Sequence, residues 1–170
     1  SIVKYPCEAI DGHVKGSHHR KKYGFFDTEV DTFAGIAAEL GLAKDPLNPK
    51  GYLRHPLVYL VEAADDICYN IIDLEDAHRL NILSFDEVKN LLLPLCNSEN
   101  LASRLDDYLE DDDAKAGLLR AKAINTLIRE CSRIFYENQD AILSGSFNQS
   151  ITDALPEHLR EAWKAIEKIS

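Results

Sequence analysis

Apolar residues recur at three- and four-residue spacings through most of the chain, and no stretch alternates apolar with polar long enough to build a substantial sheet. Residues 1–25 are interrupted by Pro6, Gly12, Gly16 and Gly24 and read as irregular. The pattern predicts a helix from Asp27 or Thr28 to Leu40, with Gly41 as its C-terminal stop. Residues 44–51, with Pro46 and Pro49, read as a turn-rich linker. A long helix is expected from about Arg54 to Leu80. Ser84-Phe85-Asp86-Glu87 has the form of a capping box, opening a helix that runs to about Leu93 and stops near Pro94. Asn97 reads as the N-cap of a helix to about Leu109. The acidic run Glu110–Asp113 then precedes a helix over about Ala114–Leu143, where carboxylates at the N-terminus favour the macrodipole and Gly145 follows the end. A short helix near Ile151–Leu155 and a last one from Pro156 onward complete an all-α reading, a multi-helix antiparallel bundle.

On a wheel of about 100° per residue, Leu57, Leu60, Val61, Ala64, Ile67, Cys68, Ile71, Ile72 and Leu74 spread over roughly half of the 54–80 helix and are expected to face the core. Glu62, Asp65, Tyr69, Asp73 and Asp76 gather on the other side, with His55 at the N-terminal end. Asp65, Tyr69 and Asp73 follow an i, i+4, i+8 spacing that stacks them on one ridge over about 12 Å. A carboxylate holds a hard cation and a phenol donates to phosphate oxygens, so the ridge suits a metal–triphosphate ligand. Acidic residues opposite an apolar stripe are, on pattern alone, more often a solvated helix face.

Composition narrows the function classes. The 170 residues carry a net charge of −10, which disfavours binding to nucleic-acid backbones. The basic run Lys15, His18, His19, Arg20, Lys21 and Lys22 is the local exception and reads first as a solvated loop. No apolar run is long enough for a membrane span, and no leader pattern opens the chain. The four cysteines contain no CxxC pair; Cys68 and Cys131 fall at apolar helical positions, as reduced core thiols of a cytoplasmic protein would. Met is absent and the first residue is Ser1, which reads as a fragment or a processed chain.

The run Glu62-Ala63-Ala64-Asp65-Asp66-Ile67-Cys68-Tyr69, followed by Ile72-Asp73-Leu74-Glu75-Asp76 and preceded by Arg54-His55-Pro56-Leu57, resembles the C-terminal portion of the deoxyguanosinetriphosphate triphosphohydrolase family of the HD-domain superfamily. Lys4-Tyr5-Pro6 and Lys22-Tyr23-Gly24-Phe25-Phe26 are similar to shorter segments of the same family. The resemblance covers the first half of the chain by motif and the second half in general helical character. It implies a single α-helical domain or fragment over 1–170, with 1–80 as the active-site half around the 54–80 helix and 81–170 as the C-terminal helical half. It further implies hydrolysis of dGTP or another dNTP to deoxynucleoside and triphosphate, with a divalent metal, Mg or Mn foremost. Asp65 matches a metal ligand, Tyr69 and Asp73 match substrate contacts, and Lys21 or Lys22 is a candidate phosphate contact. Family members are commonly homo-oligomers.

One departure limits this. No His-Asp dipeptide occurs in the chain, so the other metal ligands, and any general acid or base, would lie outside it, and the piece alone should be inactive. The rival readings are a non-catalytic helical regulatory or oligomerisation domain, another HD-type nucleotide phosphohydrolase, and a di-metal carboxylate bundle. The last would need a Glu-x-x-His motif on two helices, and Glu75-Asp76-Ala77-His78 supplies one.

Overall fold

The computed structural model of the chain describes residues 3–97, 100–108 and 111–169. In chain order its main elements are α1 (Val30–Glu39), β1 (Lys44–Asp45), β2 (Asn48–Tyr52), α2 (Leu57–Arg79), α3 (Phe85–Leu92), α4 (Leu101–Tyr108), α5 (Asp112–Glu137), α6 (Gln139–Leu143) and α7 (Glu157–Glu167). The all-α class expected from periodicity holds. Two compact units form: Ser1–Glu62 with Phe135–Ser150, and Ala63–Ile134 with Ile151–Ser170.

In the first unit, a short 3-10 turn over Asp27–Glu29 leads into α1, and the Glu29 carboxylate accepts the Phe26 N–H at 2.9 Å. Gly41 ends the helix with φ of +65°, the left-handed conformation that glycine adopts without a Cβ clash. Residues 44–51, expected as a linker, instead fall within the small antiparallel pair β1–β2. The turn residues were legible, but the strands are too short to show alternation. Asp45 Oδ1 accepts the Leu47 N–H at 2.8 Å, closing the turn that brings the strands together. Around this hairpin Phe25, Phe33, Ala37 and Tyr52 make an apolar core, with Phe25 and Phe33 stacked at 4.3 Å between ring centroids.

Two short segments singled out in the sequence prove to be neighbours. The Gly24 N–H donates to the Cys7 carbonyl at 3.1 Å, the Ala9 N–H donates to the Phe25 carbonyl at 3.1 Å, and Glu8 and Phe25 form a parallel bridge. A Cβ at position 24 would collide with the Tyr5 carbonyl and the Val3 side chain. Glycine there lets residues 3–8 lie directly against residues 22–26.

In the second unit, α3 begins as expected. Glu87 N–H donates to Ser84 Oγ at 3.3 Å, and the Glu87 carboxylate accepts the Ser84 N–H at 2.8 Å. Asn97 is not the cap of α4: that helix starts four residues later, at Leu101. The acidic run does sit at the start of α5, where Asp111 Oδ2 accepts the Ala114 N–H at 3.1 Å; Glu110 lies outside the described residues. Ala116, Leu119, Ala123, Leu127, Cys131 and Ile134 line one buried face of α5, at the three- and four-residue spacing of a helix stripe. The helix does not continue to Leu143. It breaks at Asn138, where φ is −105° and ψ is 15°, and resumes as α6. Residues 151–155 form hydrogen-bonded turns, closed by Ala154 N–H to Ile151 O at 3.1 Å, and not the short helix expected. Trp163 of α7 is buried, with its indole N–H donating to Glu167 at 3.0 Å. No helix among the described residues is long and apolar enough to cross a membrane.

Candidate functional site

Helix α2 begins where a local cap permits it. The His55 carbonyl accepts the Val58 N–H at 2.9 Å and its Nδ1 accepts the Leu57 N–H at 3.2 Å, so the helix opens after Pro56 and not at Arg54. From Leu57 to Arg79 the backbone is continuously helical, and Asp65, Tyr69 and Asp73 are all exposed along one ridge. Tyr69 is 68% exposed, unusual for a large aromatic side chain. Asp76 is also exposed, while Asp66, about 100° round the helix from Asp65, is half-buried.

The rest of the wheel needs correcting. Leu57, Val61, Ala64, Cys68 and Ile72, expected in the core, are exposed, and Leu60 is half-buried. Ile67, Ile71 and Leu74 are buried as expected, and Val58, Tyr59, Glu62, Ala63 and Glu75 join them. The buried face is turned from the purely apolar one because it takes in two glutamates with dedicated cationic partners. In the second unit Glu75 pairs with Arg79 at 2.9 Å and with Arg120.

In the first unit Glu62 leaves the acidic ridge for a buried ion cluster. Its Oε2 accepts from Arg54 Nη2 at 2.9 Å and from His18 Nε2 at 3.1 Å. The Arg54 side chain is fully buried, its Nε donates to the Lys4 carbonyl at 2.8 Å, and its guanidinium lies 4.7 Å from the Tyr59 ring centroid. The His18 N–H donates to Asn148 Oδ1 at 2.9 Å. His18 and His19 are therefore half-buried members of a packed cluster and not a plain solvated loop; Lys15, Lys21 and Lys22 of the same run are exposed. The cluster had no sequence signature: His18 and Glu62 are 44 residues apart, and Arg54 precedes the helix that carries Glu62.

Burial alone would push the Glu62 carboxyl upward, but the hydrogen bond from His18 and the charge and hydrogen bond of Arg54 hold it at about 2. Burial pushes the His19 imidazole below its ordinary range, helped by the neighbouring Arg54 charge. Both shifts mean that the folded state binds fewer protons than the unfolded one, so stability is present at neutral pH and lost on acidification. Urea unfolding at stepped pH should show a loss beginning below about 6.5 from His19. A further loss of about 3 kcal/mol should follow between the unfolded carboxylate value near 4.5 and the folded value of about 2, from Glu62. In Glu62→Gln that second loss should be missing.

Among the described residues no group of three or more His, Cys, Asp and Glu side chains is arranged to hold a metal ion. A single carboxylate has two oxygens, and a hard divalent cation takes six or more oxygen ligands. The described residues therefore do not make a metal site of their own.

Fold and ridge together define an all-α protein that presents a carboxylate–phenol–carboxylate row on one long helix. Comparison with curated proteins places it further. The chain is 36% identical over 157 residues to a deoxyguanosinetriphosphate triphosphohydrolase-like protein of Synechocystis sp., a match covering 90% of this chain and 34% of that protein. It is 33% identical over 165 residues to a protein of the same name in Listeria monocytogenes, covering 91% of this chain and 33% of that protein. It is 29% identical over 169 residues to the deoxyguanosinetriphosphate triphosphohydrolase of Yersinia enterocolitica, covering 89% of this chain and 32% of that protein. No family model matches the chain. Over the matched residues the chain is similar to the deoxyguanosinetriphosphate triphosphohydrolase family, and it spans about a third of the length of the curated relatives it matches.

Proposed function

We propose that this chain forms one wall of the active site of a metal-dependent dNTP triphosphohydrolase. The observation that carries the reading is the exposure of Asp65, Tyr69 and Asp73 on a single ridge of α2, in a chain whose relatives bear that enzyme's name. Asp65 supplies one ligand to a divalent cation, Mg or Mn, whose remaining ligands lie outside the described residues. When bound, that cation neutralises triphosphate charge. Tyr69 donates its phenol hydrogen to a phosphate oxygen, and Asp73 accepts from the sugar. Lys21 or Lys22 contributes an ammonium to the phosphates, a role that rests on the resemblance alone. The reaction is attack of water at the α-phosphorus of dGTP or another dNTP. The bond from that phosphorus to the sugar oxygen breaks, the sugar oxygen takes a proton, and deoxynucleoside and inorganic triphosphate leave. Homo-oligomerisation belongs to the same proposal, and the chain by itself should turn over no substrate.

The test is the product and its dependence on the ridge. Phosphorus NMR of the complete enzyme with dGTP should show inorganic triphosphate as the released species. Tyr69→Phe, which removes one donor and nothing else, should lower kcat by about a hundredfold. Release of orthophosphate or pyrophosphate in place of triphosphate, or full activity in Tyr69→Phe, would contradict the proposal.

A further inference from the structure

A concave feature lies within the first unit. It is a cavity of about 200 Å³ whose walls include Val3, Phe33, Ile36, Leu40, Leu42 and His55. Ile36 and Leu40 of α1 are 45% and 52% exposed, so the cavity meets solvent beside them. Phe33 stacks on Phe25 and packs beside Tyr52, and it also lines the cavity. Among the described residues, His55 is the one lining side chain that can form a hydrogen bond. Its Nδ1 is committed to the Leu57 N–H at 3.2 Å, which fixes the neutral ring with its hydrogen on Nε2. Among the described residues no partner is found for that Nε2–H.

We propose that this cavity binds a small, uncharged heteroaromatic ring that carries a hydrogen-bond acceptor on its edge. Size sets the first limit. A dry cavity of about 150 Å³ lined by aliphatic and aromatic side chains takes benzene, whereas pockets for drug-sized ligands start near 300 Å³. This one therefore holds one or two fused rings. The walls set the second limit: a charged group would lose its hydration against Val3, Phe33, Ile36, Leu40 and Leu42 with nothing to replace it. His55 sets the third: it is the described lining side chain with a polar group, and with Nδ1 committed to Leu57 it has a donor to offer, whose complement is an acceptor. The inference does not depend on the activity proposed above. It also differs from the expectation that His55 belongs with the acidic face of α2.

Quinoline and naphthalene test it, because they share shape and size and differ in one ring nitrogen. Titrating each into the 170-residue chain and following its NMR signals should show saturable shifts at His55, Phe33 and Ile36, with quinoline binding about fivefold tighter than naphthalene. His55→Asn keeps an oxygen to cap the Leu57 N–H but removes the Nε2 donor; it should erase quinoline's advantage and leave naphthalene unchanged. Ile36→Lys, at a solvent-exposed position, should weaken both probes at least tenfold while the circular dichroism of the chain stays the same. No saturable shift of the lining residues with either probe would overturn the proposal. So would equal affinity of the two in the native chain, or saturation with shifts confined to other residues, as when a protein side chain is the natural occupant and free rings are refused.

Discussion

Glu62→Ala is expected to cost the chain about 3–5 kcal/mol of folding stability, far more than removal of any neighbouring acid on α2. The reason is what it leaves behind. Arg54 is fully buried, and Glu62 is its only charged partner among the described residues. Taking away the carboxylate strands a guanidinium in an apolar surround with only the Lys4 carbonyl and the rings of Tyr5 and Tyr59 to replace it. Those contacts are worth far less than the solvation the cation gave up. The same change also releases His18, whose ring bond to Glu62 and backbone bond to Asn148 pin the loop at residues 16–20. Asp65→Ala and Asp73→Ala, at exposed positions, should stay within about 0.5 kcal/mol of the parent. Urea unfolding of the three variants side by side is the check. Comparable losses in all three would mean that the Arg54–Glu62 pair is not what holds this region. The double variant Arg54→Leu/Glu62→Leu should recover much of the loss, since an apolar pair leaves no buried charge unmatched.

The contrast between Glu62 and Asp65 also shows where sequence reading succeeds and where it stops. Features decided within one or two turns were legible. Ser84 and Glu87 close a capping box with each other, and Gly41 takes the left-handed angle that ends α1. Features decided by distant partners were not. Hydropathy put Val61 and Cys68 in the core and Glu62 on the surface, and the structure does the reverse. The arginine and histidine that neutralise Glu62 come from residues 54 and 18, and no helical periodicity relates them. The break at Asn138 has neither proline nor glycine to announce it. The hairpin over 44–52 announced its turn but not its strands. The ridge itself was legible because it needs only the helix. Spacing of four residues puts Asp65, Tyr69 and Asp73 in line wherever α2 is helical, and α2 is helical throughout. What the ridge faces is a different matter, because the described residues assemble no metal-binding group around Asp65.

Asp65→Ala is the second large effect, and it bears on activity and not on folding. If Asp65 is a cation ligand in the complete enzyme, its loss removes the charge that the cation brings to the triphosphate. That contribution is worth several kcal/mol, or about a thousandfold and more in rate. Asp66 is its natural control. It is adjacent in sequence and identical in chemistry, but about 100° round the helix and half-buried, so it does not lie on the ridge. A solvated acidic face would treat the two alike, whereas a ligand position separates them.

The measurement that tests this most directly is bound Mn and released triphosphate, determined together in the complete enzyme for the parent, Asp65→Ala and Asp66→Ala. The account predicts that Asp65→Ala, still folded, loses both metal and triphosphate release while Asp66→Ala keeps both. Normal metal content and undiminished release in Asp65→Ala, or equal losses in the two variants, would contradict it.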